Sequence, residues 1–520
     1  MMEPLRAAER HFPCILFLAL VLGTSAVWTG CGGGQSQQAV GLPTPPPAGL
    51  VNSYVGGQGS SPSESSLLSV TIDHSKNAYS YGPVGTTTPT AGAFSTLTGG
   101  FLILLNQSGY QSGLALEVPG EATILRPGDV TTPLIFAVQQ ATCFAIGGNV
   151  KFLFASSPGL PIVDEAAYGR IYASTNSSGN SWQFNNLTEY QEPDGSIPAN
   201  ADFPGYPSGY PGTCSASNGS ASTSAAPLSY FPDGTTYPLP TQFVINPGGF
   251  FFENQSYVNV AAQEGWPYPS ISAWGVSEPP TSLATGYVTS FYYVGFLMAA
   301  NISSGVYETQ LVGFGNAPAA GTTMTGGTFA NDDPTQSVTV NMSVTFGTED
   351  TLNNGLYYLA TLSIPYDAQS TCSFPVLNAN GVLTCTYDAV ATVSQPNGQF
   401  AIILSAFDSS GNQKTLVLFQ QPPPLTLACP ASTTTLGGAY SSAFVASGGT
   451  PPYVDFALSV GTLPPGLALN SSSGAITGSP TTSGTYTFVG SVSDSYPTTA
   501  LSHACVISVA TPPQGTAESK

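Results

Sequence analysis

Hydrophobic and polar positions follow two patterns along this chain of 520 residues. Residues 15–23 form an unbroken apolar run, whereas later stretches such as 338–346 and 485–492 alternate apolar with polar residues. Alternation over a few residues is the pattern of a strand with one buried face, and Gly, Pro, Asn and Ser turns separate these stretches. We therefore predict an all-β chain, with an antiparallel barrel- or sandwich-like middle region and a β-sandwich at the C-terminal end.

The length and the turn-rich segments predict several domains. The proline-rich residues 421–424 are a linker signal, and Ser-Ser-Pro-Gly-Leu-Pro at 156–161 indicates a softer boundary within the middle region. The predicted segments are a leader at 1–30, a disordered linker at 31–51, β domains at 52–158 and 159–421, a sandwich at 425–511 and a disordered tail at 512–520.

The first 30 residues have the order of a secretory signal peptide. Arg6 and Arg10 precede the apolar run, which is too short to span a bilayer, and small residues follow it. Residues 27–32, Val-Trp-Thr-Gly-Cys-Gly, resemble the lipobox of bacterial lipoproteins, although Trp28 stands where that family usually has Leu. The resemblance implies that Cys31 is acylated and anchors the chain to a membrane. Cleavage nearer Ala26, which would give a secreted protein, remains an alternative.

Two further features concern where the chain acts and what it binds. Gly32, rather than an aspartate, follows the anchor cysteine, and by resemblance to lipoprotein sorting rules this favours the outer membrane or cell surface over the inner membrane. Only 7% of the residues are charged, and 28 acidic against 8 basic residues give a net charge of −20. Nucleic-acid binding needs clustered Lys and Arg, so we exclude nucleic acid as a partner.

Eight cysteines occur, of which Cys14 lies in the leader and Cys31 at the anchor. An even number remains in a chain predicted to enter an oxidising compartment, which predicts structural disulfides. Proximity favours three pairs, although fifteen connectivities are open. A metal site is the alternative, but the chain has no Cys-x-x-Cys motif. The candidate pairs are Cys143 with Cys214, Cys372 with Cys385, and Cys429 with Cys505.

Residues 446–495 contain the motifs Gly-Gly-Thr-Pro-Pro-Tyr, Gly-Thr-Leu-Pro-Pro-Gly-Leu, Gly-Ala-Ile-Thr-Gly-Ser-Pro and Gly-Thr-Tyr-Thr-Phe. This series resembles the putative-Ig family of bacterial surface proteins, which are immunoglobulin-like and similar to cadherin domains. The resemblance implies an Ig-like sandwich. Independently, Tyr486, Phe488 and Val492 share one strand parity and can face a core, while Thr485, Thr487 and Ser491 face out. Some cadherin-like domains bind calcium through clustered acids, but Asp455 and Asp494 alone would supply few ligands, and Asp494 is better explained as a turn or strand-end residue.

Four short sequence segments of the middle region resemble those of an uncharacterised group of lipoproteins from soil bacteria. They are residues 115–120, 326–336, 353–357 and 418–421. No activity is implied, because none is assigned to that group.

Candidate chemistry in the middle region is sparse. Of the two histidines after the leader, His74 follows Asp73 at a strand end, where strand alternation would place the two side chains on opposite faces, and His503 lies beside Cys505. We expect both histidines to be structural or surface residues. A glycosidase would need only two carboxylates. The available carboxylates are Glu189, Glu192, Asp194, Glu253 and Glu264, and nothing in the sequence selects a pair among them.

Two other groups could bind ligands. Asp332 and Asp333 are candidates for calcium, although Asn-Asp-Asp-Pro is also strong turn chemistry. Aromatic residues beside prolines could stack on sugars or grip a protein, or equally fill the end of a barrel, and we favour the buried alternative. These aromatic residues are Tyr206, Tyr210, Trp266, Tyr268 and Trp274.

Together these observations predict a non-catalytic cell-envelope lipoprotein that serves in surface adhesion or binds a carbohydrate or protein ligand. No cofactor is expected apart from a calcium ion. The alternative is an extracellular carbohydrate-active hydrolase that uses a pair of carboxylates in the middle region.

Overall fold

The computed structural model consists of strands and contains no helix among the residues that it describes. Accordingly, no helix in this described part is long and apolar enough to cross a membrane. The prediction of an all-β chain is confirmed. The described residues are 42, 49–58, 67–97, 101–106, 108–129, 131–156, 168–190, 210–215, 220–223, 228–230, 236–238, 241–256, 270–279, 292–301, 306–315, 321–329, 342–350, 353–366, 375–377, 381–394, 401–407, 413–420, 425–449, 453–494 and 499–511.

The first eight strands form a closed antiparallel barrel in chain order. The last strand returns to the first, with Val138 opposite Val55. Apolar side chains from all eight strands, including Tyr54, Phe94 and Ile135, fill the interior. The strands are β1 (Val51–Gln58), β2 (Leu68–Asp73), β3 (Ala78–Pro83), β4 (Thr90–Leu97), β5 (Phe101–Leu105), β6 (Gln111–Val118), β7 (Ala122–Arg126) and β8 (Ile135–Gln139).

A second closed barrel contains β9–β13 and β16–β18, and a separate two-stranded sheet, β14 with β15, lies between them in sequence. Closure places Trp274 opposite Ala155. The strands are β9 (Val150–Ser156), β10 (Tyr168–Thr175), β11 (Ser181–Tyr190), β12 (Tyr210–Cys214), β13 (Ser220–Thr223), β14 (Leu228–Tyr230), β15 (Thr236–Pro238), β16 (Thr241–Ile245), β17 (Phe250–Ser256) and β18 (Ser270–Ser277).

The domain boundary expected between residues 158 and 159 falls inside this second barrel. Strand β9 pairs with β10 and β18, so it belongs with the strands that follow it. The predicted boundary therefore falls between two consecutive strands of one barrel, β9 and β10, instead of between two domains. The segment from 159 to 421 also contains more than one module, because a further ten-stranded sheet follows β18.

This ten-stranded sheet is also closed, because β24 pairs with both β22 and β26. Eight of its strands, β19–β22, β24 and β26–β28, form the ring, and β28 returns to β19 with Val417 opposite Phe296. The strands are β19 (Tyr292–Asn301), β20 (Val306–Gly315), β21 (Thr323–Thr328), β22 (Met342–Thr345), β23 (Thr348–Glu349), β24 (Leu356–Pro365), β25 (Val376–Leu377), β26 (Leu383–Ser394), β27 (Ala401–Phe407) and β28 (Gln413–Gln420).

The three barrels share one apolar core between their outer faces. The seventh and eighth strands of each ring supply much of it, with Phe136 from the first barrel, Phe252 from the second and Phe419 from the third. Phe136 stacks on Trp274 of the second barrel with ring centroids 5.1 Å apart. Strands buried on both faces read as continuous apolar runs, which explains why residues 134–138 lack alternation.

The C-terminal module is a sandwich of sheets around its own core, in which every strand pair is antiparallel except the parallel pair of Thr433–Thr435 with Cys505–Ala510. Phe488 and Val492 are buried and Tyr486 is half-buried, while Thr485 and Thr487 are exposed, as the alternation predicts. The strands are β29 (Thr426–Ala428), β30 (Thr433–Thr435), β31 (Tyr440–Ala443), β32 (Val445–Ser447), β33 (Val454–Gly461), β34 (Leu467–Leu469), β35 (Ala475–Gly478), β36 (Gly484–Ser493), β37 (Thr499–Leu501) and β38 (Cys505–Ala510).

Candidate functional site

Many of the candidate residues lie outside the described residues. Two more, Glu189 and Tyr210, lie in β11 and β12, but their side chains are not described. Predictions about these positions therefore stay predictions. The residues outside the described part are Cys31, Glu192, Asp194, Tyr206, Glu264, Trp266, Tyr268, Asp332, Asp333 and Cys372.

Two candidate residues, Trp274 and Glu253, lie among the described residues, and both side chains are fully buried. Trp274 packs in the core that the three barrels share, so it is not part of an exposed binding surface, and the buried alternative applies to it. Glu253 has the strand parity of Phe251, which faces the interior of the second barrel. Neither side chain therefore reaches solvent to contact a ligand.

Disulfides occur at the expected cysteines. Cys143, which follows β8, is bonded to Cys214 at the end of β12. Cys429, next to β29, is bonded to Cys505 in β38, so this bridge joins the first and last strands of the sandwich. Cys385 is also disulfide-bonded, and its expected partner Cys372 lies outside the described residues.

A buried carboxylate organises one end of the first barrel. Glu117 Oε2 lies 2.7 Å from Nε2 of His74. Glu117 Oε1 accepts a hydrogen bond of 3.0 Å from Asn52 Nδ2 and a second bond from the hydroxyl of Tyr54. The Tyr54 hydroxyl in turn accepts the backbone N–H of Gly120 at 3.2 Å. Hydrogen bonds to the Glu117 carboxylate thus connect β6 with β1 and with the residue that follows β2.

This cluster is suited to structural support. The side chains of His74 and Glu117 are 1% and 0% exposed. Burial, followed by the charge of Glu117, holds the pKa of Tyr54 well above its usual range, so this phenol stays protonated as a hydrogen-bond donor. Asp73 faces outward to Lys76 and Ser75, as the alternation predicts. Glu117 was not predicted from the sequence. The signal that could have identified it is an acidic residue inside an otherwise apolar strand.

A second polar cluster joins the second and third barrels. Lys151 Nζ lies 2.6 Å from Glu278 Oε1 and donates to Asn353 Oδ1 at 3.0 Å. Arg170 donates to the same Asn353 oxygen at 3.3 Å, and Asn353 Nδ2 donates to Asp350 Oδ2. Asn353 itself is 2% exposed. Sequence reasoning missed this cluster, because Lys151 and Asn353 are 202 positions apart.

Of the five Lys and Arg residues that the structure describes, four hold modules together or lie inside them. Besides Lys151 and Arg170, Arg126 places its guanidinium 5.8 Å from the ring centroid of Phe296, across the first and third barrels. Lys414 is buried with Nζ 5.6 Å from the ring centroid of Tyr387. Within the described residues, no group of three or more His, Cys, Asp or Glu side chains has a metal-binding arrangement.

The sandwich exposes apolar side chains on one sheet. Val460 lies opposite Val489, Leu501 opposite Ser491 and Val506 opposite Thr487. Directly opposed residues project from the same face, so Val460, Leu501 and Val506 share it. They are 63%, 60% and 38% exposed. We call this the outer face of the sandwich.

Charge is almost absent from the sandwich. Between residues 425 and 511 the only charged residues are Asp455 and Asp494, in a chain whose net charge is −20. Asp494 is buried, and its charge contributes, after burial, to raising the pKa of Tyr453. The outer face can therefore make contacts that depend on shape and apolar area more than on ion pairs.

These features define an all-β chain of several modules whose last module is Ig-like. The family model described as "Putative Ig domain" matches residues 423–508, in agreement with the sandwich. No curated protein matches the chain. Among solved structures, the extracellular domain of protocadherin GammaB4 aligns with 81% of this chain and 79% of its own length, at 10% identity. Its TM-score of 0.15 is too low to bear on fold or function.

Proposed function

We propose that this chain is an exported, lipid-anchored protein of the cell envelope that presents an Ig-like domain for adhesion or ligand binding, without catalysis. The leader-like residues 1–30 and the lipobox-like residues around Cys31 support export and anchoring, with the outer membrane or cell surface as the destination. If cleavage occurs nearer Ala26, the same protein is secreted. The ligand is a protein or a carbohydrate.

The outer face of the sandwich is the observation that carries this proposal. Val460 and Leu501 are each more than half exposed, and residues opposite them are uncharged Val and Ser. Apolar surface gathered on one sheet and bordered by polar residues is typical of interaction sites. The Ig-like family match of residues 423–508 supports a role in adhesion or binding.

The barrels support a scaffolding role for the middle region. Apolar side chains fill their interiors, and the outer faces of all three meet in a shared core. Charged groups at their junctions, such as Arg126 and Lys151, already contact residues of another barrel, Phe296 and Asn353 respectively. Such a unit can hold the sandwich away from a membrane surface as one rigid spacer.

The binding proposal is tested with cells that display the full chain. Their retention on beads coated with a glycan panel, and on beads coated with the chain itself, is compared for Leu501→Lys, Val460→Lys and the control Thr477→Lys. Thr477 is exposed on the other sheet. We expect retention on at least one bead type, weakened about tenfold by the first two variants and unchanged by the control. Equal retention of all variants, or none by the parent chain, would contradict the proposal.

The anchor requires a separate experiment. Cells expressing the chain or Cys31→Ser are grown with labelled palmitate and separated into membrane and soluble fractions. We expect label and membrane association in the parent chain alone, because acyl chains on one residue supply the anchor. Equal labelling of both would remove the lipid anchor from the proposal, and release of the parent chain into the medium would support the secreted alternative.

A further inference from the structure

Five polar side chains from two barrels converge at one junction. Lys151 comes from β9, Arg170 from β10, and Glu278 from the residue after β18. Asp350 and Asn353 lie between β23 and β24 in the sequence of the third barrel. The ammonium of Lys151 contacts both Glu278 and the side-chain amide of Asn353. An amine, an amide and two carboxylates are thereby brought together at a partly buried junction, where the Lys151 and Glu278 side chains are 9% and 18% exposed.

The geometry brings a nucleophile next to an electrophile. Lys151 Nζ is 3.0 Å from Oδ1 of Asn353. Because a C=O bond is about 1.23 Å long, Nζ lies within about 4.2 Å of the amide carbon Cγ. Reacting atoms in productive complexes are about 3 to 3.5 Å apart, so a small shift of the lysine chain would place its nitrogen at contact distance.

We propose that Lys151 and Asn353 join in an isopeptide bond, formed by attack of Lys151 Nζ on Asn353 Cγ with release of ammonia. The Nζ–Cγ bond forms and the Cγ–Nδ2 bond breaks. The lysine ammonium gives up one proton to become the attacking amine and a second as the amide forms, and both leave on the departing nitrogen, so the products are an amide and an ammonium ion. No oxidant, reductant or co-reactant is needed.

Each neighbour of the pair has a position suited to one step. Glu278 Oε1, 2.6 Å from Nζ, can accept the lysine proton. Arg170 donates to Asn353 Oδ1 at 3.3 Å, where negative charge develops when the tetrahedral intermediate forms. Asp350 Oδ2 accepts a hydrogen bond from Asn353 Nδ2 and so fixes the orientation of the amide that is attacked.

The turn that carries Asn353 is fixed by further bonds to the second barrel. Asn354 donates its backbone N–H to Glu278 Oε1 at 2.8 Å and its side chain to Pro279 O at 3.2 Å. Gly355 has a φ of +75°, and a Cβ there would lie 2.1 Å from Val393 O, so this position requires glycine. The motif Asn353-Asn354-Gly355 is thus held in one conformation, which favours a reaction of its first residue.

The test is peptide mapping of the full chain, purified under conditions in which it is folded. Chymotrypsin suits a chain with 11% aromatic residues. We expect one branched peptide that joins the segment containing Lys151 to the segment containing Asn353 and is lighter than the two together by one ammonia. Tandem mass spectrometry then identifies the two linked residues.

Variants separate the reaction from mere proximity. Lys151→Ala and Asn353→Ala should abolish the branched peptide, and Glu278→Gln should slow its appearance after refolding by about a hundredfold or more. Lys76→Ala is the control, because Lys76 also pairs with a carboxylate, Asp73, but is 76% exposed. That variant should cross-link like the parent chain.

The parent chain alone can overturn the proposal, whether or not the variants fold. If folded parent protein yields separate peptides with unmodified Lys151 and Asn353, the isopeptide bond does not form. Loss of ammonia without a link to Lys151, as ring closure at Asn354-Gly355 would produce, overturns it equally.

Discussion

The Nε2 atom of His74 lies 2.7 Å from Oε2 of Glu117, and both side chains are shielded from water inside the first barrel. The same carboxylate accepts hydrogen bonds from Asn52 and Tyr54. One acidic residue in β6 thus serves donors from β1 and from the end of β2. The closure of this end of the barrel depends on Glu117 more than on any single donor around it.

Replacing Glu117 with Ala should destabilise the first barrel by about 3 kcal/mol, because it leaves several buried donors without their acceptor. Glu117→Gln, which keeps an acceptor oxygen, should be milder. The measurement is the free energy of unfolding from denaturant titration, with Ser53→Ala, an exposed position of the same barrel, as the control, expected within about 0.5 kcal/mol of the parent. A Glu117→Ala protein as stable as that control would refute the structural role of the cluster.

Asp73 should make stability depend on pH in the acid range. Hydrogen bonds from Lys76 and Ser75 lower the pKa of Asp73 to about 2. Since its pKa in the unfolded chain is higher, about 3.9, the carboxylate stabilises the fold above that pH, and this contribution is lost as pH falls towards 2. The unfolding temperature of Asp73→Asn, compared with the parent chain, should therefore differ above pH of about 4 and converge near pH 2. A constant difference across this range would contradict the assignment.

Removal of the Cys143–Cys214 disulfide should destabilise the second barrel by about 4 kcal/mol, because the bond closes a long loop in the unfolded chain. The sequence separation is 71 residues. The double variant Cys143→Ala with Cys214→Ala avoids a free thiol, and its unfolding is compared with that of the matched pair Cys429→Ala with Cys505→Ala, whose separation is 76 residues. The chain-entropy model predicts similar losses, in different modules. Negligible loss in both would show that the bridges add little to native stability.

Gly248→Ala should weaken the contact between the first and second barrels. A Cβ at this position would lie 1.4 Å from Oε2 of Glu121, which accepts a hydrogen bond of 2.9 Å from Asn246. We expect a loss of about 1 to 3 kcal/mol, as overpacking of a filled site generally causes.

A double-mutant cycle with Glu121→Ala supplies the control for Gly248→Ala. Because the shorter side chain removes the clashing atom, the loss caused by Gly248→Ala should be smaller in that background, and unfolding titrations of the four proteins measure the difference. Additive losses would mean that the two residues do not compete for the same space.

The sequence predicted the fold class and the Ig-like module well, because strands with one buried face alternate and the sandwich carries specific turn motifs. It did not predict three barrels. Residues 134–138 and 416–419 are buried on both faces, so the alternation that marks a strand disappears there. A boundary near residue 158 followed from turn residues alone, which also occur between strands of one barrel.

The sequence does contain short motifs that recur at equivalent positions of the three eight-stranded rings. The sequence between the sixth and seventh strands of the rings contains Pro-Gly at 119–120, Pro-Gly at 247–248 and Pro-Asn-Gly at 396–398. Gln-Gln follows an apolar strand at 139–140 and again at 420–421. The Lys151 cluster, by contrast, has no local signal, since strand pairing and barrel packing alone bring its members together.

Ring closure also determines when each barrel can complete its folding during synthesis, because the chain is made from the N-terminus onwards. Val55 meets Val138, and Phe296 meets Val417, so each ring waits for its last strand before its ladder is complete. Pairings between such distant positions form slowly. The shared apolar faces stay uncovered until β28 is available, and this interval is when the nascent protein is most prone to aggregate.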